Sequence, residues 1–266
     1  MNNVLFCLVA VGVALGVAAL AGAHAYPIGG FSALLVVATV ALVIQWIAFV
    51  PAMIAQTERF YDLTGGLTYL MVIGITLFGA HHHELLDVRR VVLAIFVNVW
   101  AIRVATFLFR RIHRTGKDGR FDEIKRDFLR FLVAWTVQGL WVFLTALSAL
   151  IILTDARSNQ PLGIFDYCGW AIWACGFSIE IIADNQKTAF NRRTDNQGRW
   201  IDEGLWSYSQ HPNYFGEILL WTGVFVSGMG LYAGGQWAAI LSPIFIYVLL
   251  TRISGITMLD ARGEEK

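Results

Sequence analysis

The sequence predicts an all-α fold, a polytopic integral membrane bundle of seven to eight transmembrane helices, and three observations predict it. Hydrophobic residues fill 57% of the 266 positions against 15% charged, and mean hydropathy is +0.59, an inventory a soluble chain has no use for. The apolar residues fall in runs close to the roughly 20 residues a helix needs to cross a hydrocarbon core. Lysine and arginine gather in alternate loops, the pattern left when basic segments stay cytoplasmic.

Eight runs qualify once polar residues are allowed at their ends: 4–22, 31–54, 58–80, 91–109, 131–153, 164–183, 214–232 and 237–256. The first has no basic residue before it and runs on too long for a signal peptide, so it reads as a membrane helix. The third is strongly apolar only over 67–80 and spans only if Glu58, Tyr61 and Asp62 belong to its first turns. That short third run and the eighth leave the count between seven and eight. Alternating the helices puts sixteen lysines and arginines on one side, in 56–66, 110–130, 185–209 and the C-terminal end, against Arg89, Arg90 and Arg157 on the other. Both termini are therefore expected in the cytoplasm.

Between the fourth and fifth runs, "TGKDGRFDEIKRDFLRF" (115–131) sets Phe121, Ile124, Phe128 and Phe131 at helical spacing among alternating charges. An amphipathic surface helix and a solvated basic connector both fit it. The whole reads as a single transmembrane domain, 1–266, with N-terminal helices over 1–56.

Several classes are excluded. A net charge of +1 supplies no concentrated basic face for nucleic acid. Cys7, Cys168 and Cys175 form no CxxC pair and read as small apolar fillers. His81, His82 and His83 diverge by about 100° per residue on a helix, and with Glu84 and Asp87 they cap an outer loop rather than hold a metal. No GxGxxG, P-loop, GxSxG or HExxH occurs.

Ionisable groups at a bilayer are costly and mark cavities, partners or ligands. Glu58, Asp62 and Tyr69 share one helix face, with Tyr61 a turn from Glu58. Arg103 lies mid-helix in the fourth run, Glu180 and Asp184 share a face at the end of the sixth, and Glu217 follows His211, Asn213 and Tyr214 closely. All but Arg103 fall at the cytoplasmic end, and that one-sidedness points to a binding cavity. Pro212 suits a first helical turn, so His211 and Asn213 stand where backbone N–H groups are unpaired, a place for anionic or amide-bearing ligands. Trp206 alone reads as an interface-belt residue.

"GLWSYSQHPNYFGEILLW" (204–221) together with "TERFYDLTGGLTYL" (57–70) resembles the bacterial branch of the steroid 5α-reductase family, polytopic membrane enzymes that use NADPH. The likeness is strong over 57–70 and 198–221, weaker over 98–130 and 180–193, and absent for the first helix. It implies that 57–130 forms the substrate side, that 131–266 forms the NADPH-binding half, and that a glutamate and a tyrosine hold the substrate's 3-keto oxygen. Tyr208, Asn213, Gly216 and Glu217 match the family's Tyr, Asn, Gly and Glu, and Asp184 its cofactor-binding aspartate. Trp200 stands for a cofactor-contacting tyrosine, and Arg103 matches an arginine. Where the family's catalytic tyrosine falls, this chain has Trp100, so Tyr61 or Tyr69 must replace it. The sequence ends in "MLDARGEEK" where the family carries a longer tail, so a shortened cofactor cover and a truncated chain both fit.

The resemblance implies reduction of the C=C bond of a lipophilic α,β-unsaturated ketone that enters from the bilayer, a Δ4-3-keto steroid giving the 5α-dihydro product. Glu58, kept neutral by its apolar boundary, and Tyr61 are the expected catalytic donors. The nicotinamide is expected near Asp184, Asn213 and Glu217, with Tyr208, His211 and Tyr214 beside it, and the phosphates on Lys187, Arg192, Arg193 and Arg114. "QHPNYFGE" also resembles the RHPxYxG element of membrane methyltransferases acting on isoprenylcysteine or phospholipids, which makes an S-adenosylmethionine enzyme the alternative. A transporter would want charges along a whole membrane path rather than at one end.

Overall fold

The computed structural model describes residues 2–115, 118–157, 160–196 and 198–253. Eight α-helices appear among them: α1 Asn3–Ala21, α2 Ala33–Ala55, α3 Tyr61–His82, α4 Val88–Thr115, α5 Phe128–Thr154, α6 Ile164–Arg192, α7 Pro212–Ser227 and α8 Leu241–Val248. Six segments are long and apolar enough to cross a membrane: Asn3–His24, Ala33–Ala55, Tyr61–His82, Val88–Arg110, Phe128–Thr154 and Gly234–Ile253. The chain is thus an all-α integral membrane protein. α6, which carries Asp166, Glu180 and Asp184, and α7, only 16 residues long, fall outside that set. The chain divides into two compact units, 1–161 with 231–239, and 162–230 with 240 onward.

In the first unit α5 is the central helix, and its inner residues from Val142 to Thr154 are buried all round. α1 meets it through Ala10, Ala14, Ala18 and Ala21, a stripe of small side chains that lets two backbones approach without hydrocarbon-driven attraction. Gly139 serves α2 similarly: a Cβ there would lie 3.0 Å from Leu42 and 3.2 Å from the Ala41 carbonyl. One end of the unit is closed by a polar network. Asp155, buried, accepts from Arg157 Nε at 3.0 Å and Gln236 Nε2 at 2.9 Å, and Arg90 donates to the Asp155 carbonyl at 2.7 Å and to Asp87 at 2.7 Å. Arg157 also donates to the Leu231 carbonyl at 2.7 Å, tying the 231–239 segment to this end. Tyr26 donates to the Thr76 carbonyl at 2.6 Å, and its hydroxyl is pushed up to about 12 by burial against a smaller opposing pull from Arg90. His83 packs on Tyr26 at 4.9 Å and bonds to the Pro27 carbonyl.

Four sequence expectations need correction. α3 starts at Tyr61, not Glu58: Glu58 precedes the helix and accepts the Tyr61 N–H through its backbone carbonyl at 2.9 Å, so it does not continue the face of Asp62 and Tyr69. The segment before α5 is no continuous amphipathic helix but two 3₁₀ turns, Gly119–Phe121 and Ile124–Arg126. Asp127, extended at ψ 119°, ends it and caps α5 by accepting the Arg130 N–H. Cys168 and Cys175 are exposed rather than filling a core. The eighth run begins with a 3₁₀ stretch, Gly234–Ile240, and passes through α8 into a π-turn, Leu249–Ile253.

Replacing Asp155 with alanine strips the half-buried Arg157 guanidinium and the buried Gln236 carboxamide of their acceptor. It should cost about 2 kcal/mol or more of stability, readable as a lowered thermal midpoint in detergent, whereas Gln160→Ala, whose carbonyl alone is used by Arg89, should leave the midpoint unchanged.

Candidate functional site

The second unit owes its register to four glycines. Gly169 and Gly176 on α6 and Gly216 and Gly223 on α7 recur at seven-residue spacing, the period at which one helix face meets a neighbour. A Cβ on Gly216 would lie 2.7 Å from both the Glu180 N and the Gly176 carbonyl, and one on Gly223 would lie 2.5 Å from the Trp173 N. The helices therefore run antiparallel with their backbones touching. From Gly216, one turn towards the start of α7 reaches Asn213, and from Glu180 one turn along α6 reaches Asp184. The two meet: Asn213 Nδ2 donates to Asp184 Oδ1 at 3.3 Å. That bond leaves the buried Asn213 Oδ1 without a donor among the described residues. Glu217 is one further turn along α7, half-buried, and Glu180 is fully buried.

The turn Gly204–Ser207 docks beside this pair. Gly204 has φ +63° and sits against the Gln186 carboxamide, so a side chain there would be both strained and blocked. Gln186 then accepts the Leu205 N–H at 2.9 Å, and Trp206 Nε1 donates to the Ala183 carbonyl at 2.9 Å. Trp206 is thus buried against α6, not a belt residue. Lys187 lies over its ring at 4.6 Å, and burial lowers the lysine's pKa against the opposing pull of Asp184. His211, the N-cap of α7, stacks on Tyr214 at 5.2 Å. Arg192 ends α6 in solvent, and Arg193 pairs with Glu203 at 3.2 Å on the surface. Trp200 and Tyr208 are 77% and 90% exposed.

The first unit carries a separate polar cluster, around Glu58. Its carboxylate, 3% exposed, accepts from Lys125 Nζ at 2.8 Å and from the Asp118 N–H at 3.0 Å. The 118–127 strap is held from its other side by Phe121, which packs on Tyr61 at 4.9 Å and joins Phe131 and Trp135 in a buried aromatic cluster. Burial alone would push Glu58 up, but the Lys125 ammonium and the Asp118 N–H outweigh it and hold the carboxyl below its ordinary value. The expected neutral Glu58 is overturned: it is an ion-paired carboxylate. Tyr61 spends its proton on the Ala134 carbonyl at 2.9 Å. Tyr69, buried, packs edge-on against Trp100 at 5.3 Å. Arg103 is half-buried on α4; the side chain of Arg114 and the "MLDARGEEK" segment lie outside the described residues.

The structure therefore brings Asp184 to Asn213, Lys187 to Trp206, His211 to Tyr214 and Tyr61 to the strap that Glu58 anchors. It leaves Arg192, Trp200 and Tyr208 in solvent. Sequence reading missed Lys125, Gln186 and Gln138, whose Nε2 donates to the Tyr61 carbonyl at 3.1 Å. Each partner is far away in sequence, and Lys125 lay in a stretch where eight like charges looked interchangeable.

What the fold and these clusters define is a helical integral membrane protein carrying a glycine-packed hairpin with a carboxylate–carboxamide pair at its turn. The chain belongs to the family described as "Protein of unknown function (DUF1295)", which it matches over residues 48–266. No curated protein and no solved structure matches it.

Two outcomes are expected. Gly216→Ala must push α7 off α6 and should cost about 1–3 kcal/mol, seen as a lower thermal midpoint, while Gly12→Ala, with open space around it, should not. The depressed Glu58 pKa means that its hold on the strap is complete above the ordinary glutamate range and is lost as pH falls through the lowered value. Hydrogen exchange over 118–127, corrected for intrinsic rates, should stay protected from neutral pH into the ordinary glutamate range and open only as pH falls on through the lowered value; Glu58→Gln should expose the strap at every pH.

Proposed function

We propose that the protein is a membrane-embedded, NADPH-dependent reductase of the C=C bond of a lipophilic α,β-unsaturated ketone, a Δ4-3-keto steroid giving the 5α-dihydro product. The reading rests on the steroid 5α-reductase likeness of 57–70 and 198–221, and one observation carries it: the buried Asn213 Oδ1, an acceptor awaiting an N–H donor beside an Asp184 carboxylate at a helix start. A nicotinamide carboxamide offers such a donor. Asp184, Asn213 and Glu217 would hold that end of the cofactor, and Lys187, Arg192 and Arg193 its phosphates, with Trp200, Tyr208, His211 and Tyr214 as flanking aromatic contacts. Arg103 comes to the cofactor by the resemblance alone, and Arg114 as a further guanidinium suited to phosphate. The excess of basic residues in alternate loops supports a cytoplasmic face for this site.

When bound, NADPH supplies the hydride for the β-carbon. The protein's own task is to meet the negative charge that builds on the carbonyl oxygen. With Glu58 ionised, the donor for that oxygen is the Lys125 ammonium that Glu58 holds, so Glu58 acts by positioning it. Tyr69, packed on the Trp100 that stands where the family has its tyrosine, is the second donor; Tyr61, bound to the Ala134 carbonyl, sets the strap and the start of α3. Each well-placed donor contributes on the order of 3 kcal/mol to the transition state.

Membranes incubated with NADPH and a panel of Δ4-3-keto steroids should yield 5α-dihydro products. Glu58→Gln and Lys125→Met should each lower kcat about a hundredfold with NADPH affinity nearly unchanged. Equal loss of both, or methyl transfer from S-adenosylmethionine in place of NADPH oxidation, would contradict the assignment.

A further inference from the structure

Two carboxamides sit inside the first unit where hydrocarbon surrounds the helices. Gln45 on α2 is fully buried and Gln138 on α5 is 5% exposed. Their orientations follow from bond chemistry. Thr68 donates its single hydroxyl proton to the Thr64 carbonyl at 2.7 Å, so its oxygen can only accept, and Gln45 must present Nε2 to it, at 2.8 Å. The Tyr61 carbonyl likewise only accepts, which fixes Gln138 Nε2 towards it. Gly65 makes room for this: a Cβ there would lie 2.7 Å from Gln138 Nε2. Both Oε1 atoms are consequently acceptors, buried and without a donor among the described residues. Gly65 and Thr68 are three residues apart on α3, so the two carboxamides flank one face of that helix within about a turn of each other. Trp135, one turn before Gln138 on α5, is fully buried and its Nε1 has no acceptor among the described residues.

We infer that Gln45 and Gln138 form a binding point for the hydroxyl group of a lipophilic alcohol lodged among α2, α3 and α5. Carboxamide oxygens take a proton from an O–H, and the Trp135 indole N–H is a donor for the hydroxyl oxygen. The single hydroxyl proton is shared between the two oxygens, whereas a ketone or ether brings none and leaves both unmet, a costly outcome away from water. No redox step enters, so this inference stands or falls apart from the reductase reading.

The test uses the full chain in nanodiscs without NADPH, and a diazirine-bearing tetracyclic alcohol alongside its O-methyl ether. The alcohol should label peptides spanning 41–49 or 131–142 at about tenfold lower concentration than the ether. Gln45→Leu and Gln138→Leu should each erase that preference while ether labelling persists. Equal half-saturation of alcohol and ether on the unsubstituted protein, a comparison that needs no variant to fold, would overturn the site and leave the acceptors to water. So would a preference that survives in the double variant.

Discussion

In a bilayer every buried polar group has to find its partner inside the protein, and that constraint organises this molecule. The first unit meets it at one end with the Asp155, Arg157, Arg90 and Gln236 network, and at the other with Glu58 clasped by Lys125 and the Asp118 N–H. Threonines along the helices return their protons to carbonyls one turn back, as Thr64 and Thr68 do. Against this general satisfaction the exceptions carry information. The oxygens of Asn213, Gln45 and Gln138 are buried acceptors left over after their own amide groups are fixed, and they underlie the cofactor proposal and the alcohol site.

The link from sequence to site is most direct in the second unit. Helices gain little hydrophobic attraction from each other in lipid, so close backbone contact between small residues has to hold them. Four glycines at heptad spacing provide that contact, and the register they impose puts Asp184 across from Asn213. Glycine here is chosen for thinness, since a single methyl group on Gly216 would already collide with α6. The same economy recurs at Gly204, where Gln186 occupies the space a side chain would need and then fixes the turn carrying Trp206.

Much of the helix layout was legible because apolar runs near membrane length leave few alternatives; the ends of α1, α2 and α5 fall within a few residues of expectation. Pro212 marked the start of α7 because its ring, with no N–H to donate, suits a first turn. What misled was local periodicity read without its tertiary partners. Spacing over 115–131 suggested a helix, but Phe121 is worth more inside the aromatic cluster than on a surface, and Glu58 draws Lys125 with it. Apolar surroundings suggested a neutral Glu58, a conclusion that holds only for a carboxyl with no ammonium within reach.

In the proposed function Asp184 and Asn213 act as one unit on the carboxamide end of NADPH. A double-mutant cycle of Asp184→Ala and Asn213→Ala on NADPH affinity tests it most directly. Each single change should weaken binding about tenfold, and the pair should do little worse than either alone. Independent, multiplying effects, or unaltered NADPH affinity in all three variants, would contradict it.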